Sequence, residues 1–214
     1  MSEELRYRER QADGEPRGLL ILHHGRGADE TDLLALGEAL DPEQRWHVVA
    51  PRAPLQLPGS PGFHWYVVPR VGYPDPETFS RAYAGLSAFH DHVAEASAIP
   101  LAQTVLAGFS MGSVMSYATG LAAPRPAPAA VLAFSGFVPT VPGWAPALQS
   151  RQGLPVFVVH GRRDPVIPID FAHRARQTLQ AGGLDVSYHE SDAAHEIDLA
   201  HLAAARTWLK ELRA

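Results

Sequence analysis

Short apolar, β-branched runs recur along this chain, each too brief for a helix and each followed by turn residues or a helical pattern. Residues 19–22, 46–50, 104–107, 130–134, 156–160 and 186–189 read as strands. Residues 31–40, 76–97, 111–121, 171–181 and 197–212 read as helices, with apolar positions at helical spacing. The boundary residues agree. Asp29 or Thr31 can open the first helix, Asp75-Pro76-Glu77 supplies a cap and first turn, and Gly182-Gly183 closes a later one. Strands alternating with helices imply right-handed crossovers. The expected fold class is therefore α/β, a mostly parallel sheet with helices on both faces. Ligands bind such a sheet beyond the carboxyl ends of its strands. No repeat or linker divides the 214 residues, so one domain over 1–214 is expected.

Composition narrows the function. Hydrophobic residues at 46% and charged residues at 19% describe a chain able to bury a core and hold a site rigidly. A net charge of −5, with arginines interleaved among acids, gives no footprint for nucleic acid. The absence of cysteine removes disulfides, thiolate zinc sites and cysteine nucleophiles together. His90 and His92 lie two apart on a helix and cannot share a face, and His195-Glu196 lacks an i,i+4 partner, so no metal or other cofactor is expected. The amino terminus MSEELRYRERQ is charged, and the first apolar run, 19–22, is too short for a membrane span. The expected location is the cytoplasm.

The loop after residues 104–107 reads Gly108-Phe109-Ser110-Met111-Gly112. A serine on a sharp strand-to-helix turn projects its hydroxyl from the top of the sheet, and its neighbours must be small where the backbone is strained. The glycines could instead serve close packing alone. A serine hydroxyl needs a base to take its proton, and the base needs an orienting acid. Asp164 follows the strand at 156–160, in a loop stiffened by Pro165 and Pro168; Asp170, a candidate helix cap, and Asp192 are the alternative acids. Among eleven histidines, His195 lies between the last strand and the last helix, where such a base would stand. His189 falls in a strand, and His173 and His201 fall in helices, so surface or packing roles are expected of them. Two backbone donors would complete an oxyanion hole: Met111 N–H, and Arg26 N–H from the loop His23-His24-Gly25-Arg26-Gly27. His24 could stiffen that loop by hydrogen bonding.

With these pieces in place the chain resembles the phospholipase/carboxylesterase family of small α/β-hydrolases, which includes bacterial carboxylesterases and acyl-protein thioesterases. The matching segments are LHHGRGAD, VAPRAP, Trp65-Tyr66, GFSMG, HGRRDPVIP and AHEI, in the family's order and over nearly the whole chain. The resemblance implies an α/β-hydrolase fold without a large cap domain. It implies Ser110, Asp164 and His195 as the triad, and Arg26 and Met111 at the oxyanion hole. The thioesterase branch usually carries leucine and glutamine where this chain has Arg26 and Met111, which favours an esterase of short-to-medium acyl chains.

Two loop-rich stretches, 51–74 and 136–153, hold large apolar side chains. Some would pin the loops to the core, and others would line an acyl pocket. The pocket candidates are Phe63, Trp65, Tyr66, Val138, Trp144 and, beside Asp164, Val166. Exposed rings in these loops could equally support a homodimer. The expected activity is hydrolysis of a small-molecule acyl ester through an acyl-enzyme on Ser110. A thioesterase or lysophospholipase with the same triad is the alternative. A non-catalytic ligand-binding protein of the same fold is a more distant one, because no triad member is missing.

Overall fold

The computed structural model describes residues 5–212; the first four residues of the charged amino terminus lie outside it. In chain order the strands are β1 (Tyr7–Arg10), β2 (Leu19–His23), β3 (His47–Pro51), β4 (Leu55–Gln56), β5 (Phe63–His64), β6 (Thr104–Phe109), β7 (Ala130–Phe134), β8 (Pro155–Gly161) and β9 (Asp185–Ser191). The helices are α1 (Asp32–Leu40), α2 (Pro76–Ser97), α3 (Met111–Leu121), α4 (Asp170–Ala181) and α5 (Leu199–Glu211). Seven strands form one sheet in the order β1-β3-β2-β6-β7-β8-β9, parallel except for β1. β4 and β5 form a separate small hairpin.

The central strands β2, β3, β6, β7 and β8 are buried almost throughout because helices cover both faces of the sheet. Alternate residues of β2 enter different cores. Leu20 and Leu22 pack with Leu33 and Leu40 of α1 and Leu209 of α5. Leu19 and Ile21 pack with Phe79 and Leu86 of α2 and Val114 and Met115 of α3. The chain thus leaves β2 across one face to reach β3, then crosses the other face through α2 to reach β6 on the far side of β2. The loops after β2 and β6 open toward each other at this switch point, where α/β sheets bind ligands. None of the excursions among the described residues amounts to a cap domain.

Three local features depart from the expected pattern. The edge strand β1 was not anticipated: its sequence YRER is charged and mostly exposed, so it carries no apolar period, and its charge discourages further strand pairing. The hairpin of β4 and β5 is too short to leave a periodic signal. Asp170 is the first residue of α4 and makes no capping bond, so its carboxylate meets the helix dipole without serving as a cap. Asp75, by contrast, accepts the Thr78 N–H at 2.9 Å and caps α2, with Pro76 at the first helical position.

The tightest packing lies at the start of α3. A Cβ on Gly112 would collide with the carbonyl oxygen of His23 at the end of β2, and one on Gly108 would stand 2.7 Å from Ser113 N. The Gly112→Ala variant is therefore expected to lose about 3 kcal/mol of stability, the upper range for overpacking. Urea denaturation checks this; a midpoint unchanged from wild type would show that the contact can relax.

Candidate active site

Ser110 stands between β6 and α3 with φ 56° and ψ −119°, a conformation that side-chain-bearing residues rarely adopt. Its N–H donates to Phe134 O at 2.8 Å, tying the turn to β7. The Ser113 hydroxyl one helical turn on lies against the carbonyl oxygens of Gly108 and Phe134, bracing the turn from within. The strained turn is thus held by hydrogen bonds to the neighbouring strand and by glycines that let α3 start almost in contact with β2. No spacing rule marked Ser113 in the sequence.

Asp164 is buried beyond the end of β8. One carboxylate oxygen accepts the N–H groups of Val166 and Ile167, both at 2.8 Å. The other lies 2.7 Å from His195 Nδ1. Because a carboxylate only accepts, Nδ1 carries the imidazole proton, and Nε2 presents a lone pair to Ser110 Oγ at 2.8 Å. The His195 ring packs at 5.0 Å from that of Phe109. The structure therefore brings Ser110, His195 and Asp164 into one hydrogen-bonded line. Asp192 instead pairs with Arg162 at the surface.

His160 lies beside the acid, with its Nε2 2.8 Å from Ile167 O and 3.3 Å from the second Asp164 oxygen. Burial is the leading cause that lowers its pKa, so it packs against the acid as a neutral ring. In the sequence it was visible merely as a strand end.

The loop after β2 is held from several sides. Ala53 N–H donates to His24 Nε2 at 2.9 Å, which places the His24 proton on Nδ1, 2.8 Å from Gly25 O. Trp65 Nε1 donates to His24 O at 2.9 Å, and its backbone N–H contacts Met111 Sδ at 3.2 Å. Gly27 N–H and Phe63 O, 2.8 Å apart, fasten the far end. Among the described residues Arg26 N–H has no acceptor. Met111 is the first residue of α3, so its N–H has no acceptor within the helix. Arg26 and Met111 both line the cavity that Ser110 and His195 enter.

That cavity has a volume of about 380 Å³. Of the six pocket candidates, Tyr66 and Val166 face it, and Val138 faces an adjoining cavity. Phe63, Trp65 and Trp144 do not reach it. Trp65 is wholly buried beneath the loop after β2, Trp144 packs on Phe79 and donates to Ala118 O, and Phe63 lies under the Arg52 guanidinium. Val68, Val71, Tyr73 and Phe137 complete much of the apolar wall. Tyr73 and Phe137 belong to the stretches 51–74 and 136–153, and a loop has no period to say which ring turns inward.

A model of the phospholipase/carboxylesterase family matches residues 10–213. The chain belongs to this family. The crystal structure of esterase PE8 is similar to it over 99% of this chain and 100% of its own, at 30% identity and a TM-score of 0.84. MhqD of Bacillus subtilis is 27% identical over 92% of this chain and 95% of its own length. Esterase YpfH of Escherichia coli is 28% identical over 84% of this chain and 76% of its own. The fold is that of the α/β-hydrolases, and among the described residues no helix is long and apolar enough to cross a membrane.

Behind the site, this family member buries a relay of polar groups. Ser116 Oγ donates to Gly112 O at 3.0 Å, so it accepts from His23 Nδ1–H at 2.8 Å. His23 Nε2 in turn accepts from His90 Nε2–H at 3.0 Å. Both rings are neutral: burial first, and then a neighbouring cation or imidazole, lowers each pKa, to about 3 for His90. The unfolded chain, with histidine near 6.5, binds protons that the fold refuses. Stability is therefore fully present above pH 6.5 and falls as the pH drops from there toward 3. Denaturation at stepped pH should show this slope. In His90→Gln it should be shallower by about 1.4 kcal/mol per pH unit, one proton's contribution.

Proposed function

We propose that this chain is a serine carboxylesterase that hydrolyses short-to-medium acyl esters through an acyl-enzyme on Ser110. The observation that carries this reading is the unbroken line Asp164 Oδ2–His195 Nδ1 at 2.7 Å and His195 Nε2–Ser110 Oγ at 2.8 Å, ending at a serine on a strained turn beside a cavity. Family membership agrees, and so do the names of esterases PE8 and YpfH. A cavity of about 380 Å³ lies near the small end of ligand sites, which suits a short acyl group.

In the mechanism so supported, Ser110 Oγ bonds to the ester carbonyl carbon as its proton passes to His195 Nε2. The backbone N–H groups of Arg26 and Met111 receive the negative charge on the former carbonyl oxygen, each contributing on the order of 3 kcal/mol. Collapse breaks the bond to the alcohol oxygen, which takes the proton from His195. Water then attacks the acyl-enzyme, giving its proton to the same nitrogen, and the serine recovers that proton as the carboxylic acid leaves. Asp164 stays ionised, holding the ring in its tautomer and stabilising the imidazolium.

Intact-mass measurement after a fluorophosphonate probe is expected to show one adduct on wild type and none on Ser110→Ala, with hydrolysis of 4-nitrophenyl butyrate lost in that variant. A folded Ser110→Ala protein that still hydrolyses the ester would overturn the assignment. Asp164→Asn should retain the fold and lose about 10⁴-fold in kcat. Parallel panels of acyl-CoA and lysolipid test the thioesterase and lysophospholipase activities, where rates above those on oxygen esters of matched acyl length would displace the esterase reading.

A further inference from the structure

The cavity that holds Ser110 and His195 is also lined by Arg26 and Arg70, and no aspartate or glutamate shares its wall. Across Gly72 and Phe137 it adjoins a second cavity of about 300 Å³ with one more arginine, Arg174, and again no carboxylate. This inverts the charge balance of a chain whose net charge is −5. Elsewhere many arginines are neutralised: Arg10 by Asp41, Arg52 by Glu30, Arg125 by Asp91, and Arg162 by Glu190 and Asp192. Arg151 spends its donors on the carbonyl oxygens of Gly120, Ala122 and Arg125. Among the described residues, Arg26, Arg70 and Arg174 have neither an ion pair nor a side-chain hydrogen bond.

Two of these guanidinium groups are also held in place. Arg70 lies 3.6 Å over the Tyr73 ring and Arg174 4.4 Å over the Phe171 ring. Stacking occupies the face of the guanidinium and leaves its in-plane N–H edge for a planar anion. Arg70 and Tyr73 are the ends of one tight turn, closed by Tyr73 N–H to Arg70 O at 2.9 Å, with Gly72 at φ 83°. That turn presses on α4, since a Cβ on Gly72 would stand 2.7 Å from the Phe171 ring. Arg26 lies near buried His64, whose pKa its charge helps lower, second to burial itself. Positive charge concentrated in a partly apolar cleft attracts and orients an anion more strongly than the same charge on an open surface.

We infer that this cleft selects small esters bearing a free carboxylate, which Arg70 and Arg26 read while Ser110 attacks the ester group. The inference rests on the esterase reading above and adds the substrate class to it. A carboxylate matches the arginine fork in two parallel hydrogen bonds, which a neutral acyl chain cannot use.

The test compares matched chromogenic esters on the whole protein. One arm sets mono-4-nitrophenyl glutarate against 4-nitrophenyl valerate, and the other sets 3-carboxy-4-nitrophenyl butyrate against 4-nitrophenyl butyrate. In at least one arm the charged ester is expected to lead by tenfold or more in kcat/KM, chiefly through KM, with the lead shrinking in 0.5 M salt. The charged-to-neutral ratio should fall toward one in Arg70→Gln and further in the Arg26→Gln, Arg70→Gln pair; taken within each variant, it cancels any general loss of activity. Ratios at or below one in both arms, from a wild type that hydrolyses the neutral esters, would overturn the inference and leave the esterase reading standing. A folded wild type that turns over none of the four esters and takes no fluorophosphonate would fail the esterase reading instead.

Discussion

Much of this molecule depends on the approach of α3 to the end of β2, where Gly112 faces the His23 carbonyl with no room for a methyl group. That contact lets the chain reverse direction at Ser110 within one residue, and the reversal forces the positive φ. Each consequence follows mechanically. The serine side chain leaves the sheet at its carboxyl edge, the first N–H of α3 opens into the same space, and the loop after β2 is drawn alongside. The strain is contained because Ser110 N–H is bonded to β7 and Ser113 grips the carbonyls on either side.

A second layer of organisation is polar and buried. Imidazoles occupy places where an aliphatic side chain would pack but could not bond. His24 links Ala53 N–H to Gly25 O, His160 abuts the acid loop, and His23 joins α2 to α3 through His90 and Ser116. A neutral imidazole can donate on one side and accept on the other, so His24 joins Ala53 to its own loop and His23 joins α2 to α3, segments with no regular ladder between them. The arrangement works only while the rings stay uncharged, and burial keeps them so.

The alternation of strand and helix was legible because strands covered on both faces must be apolar throughout and amphipathic helices must repeat at their own period. Ser110, Asp164 and His195 stood out for a related reason: each lies just beyond a strand end, and the sheet alone aligns those ends. What escaped the sequence shares a different cause. Strand β1 is a charged edge whose pairing is decided by β3. Trp65 and Tyr66 are adjacent in one loop, and only the fold sends the first under the loop after β2 and the second into the cleft. His23 and His90 are separated by 67 residues and meet through packing that no local pattern announces. No local pattern sets Arg70 apart from the other arginines, and only the fold stacks it on Tyr73 in the wall of the cavity that Ser110 enters.

Asp164 is gripped by the amide groups of Val166 and Ile167, and the same two residues line the cleft. One short segment therefore supplies both the bracket for the carboxylate and part of the cleft wall. Side-chain exchanges there can reshape the wall while leaving the amides where they are. Insertions, deletions or a proline at 166 or 167 would disturb the bracket as well. The segment is thus open to drift in side-chain size and closed to drift in length. The part of the wall carried by the loop through Val68, Val71 and Tyr73 holds no hydrogen-bond partner of Asp164, so changes of side chain or length there leave the bracket in place.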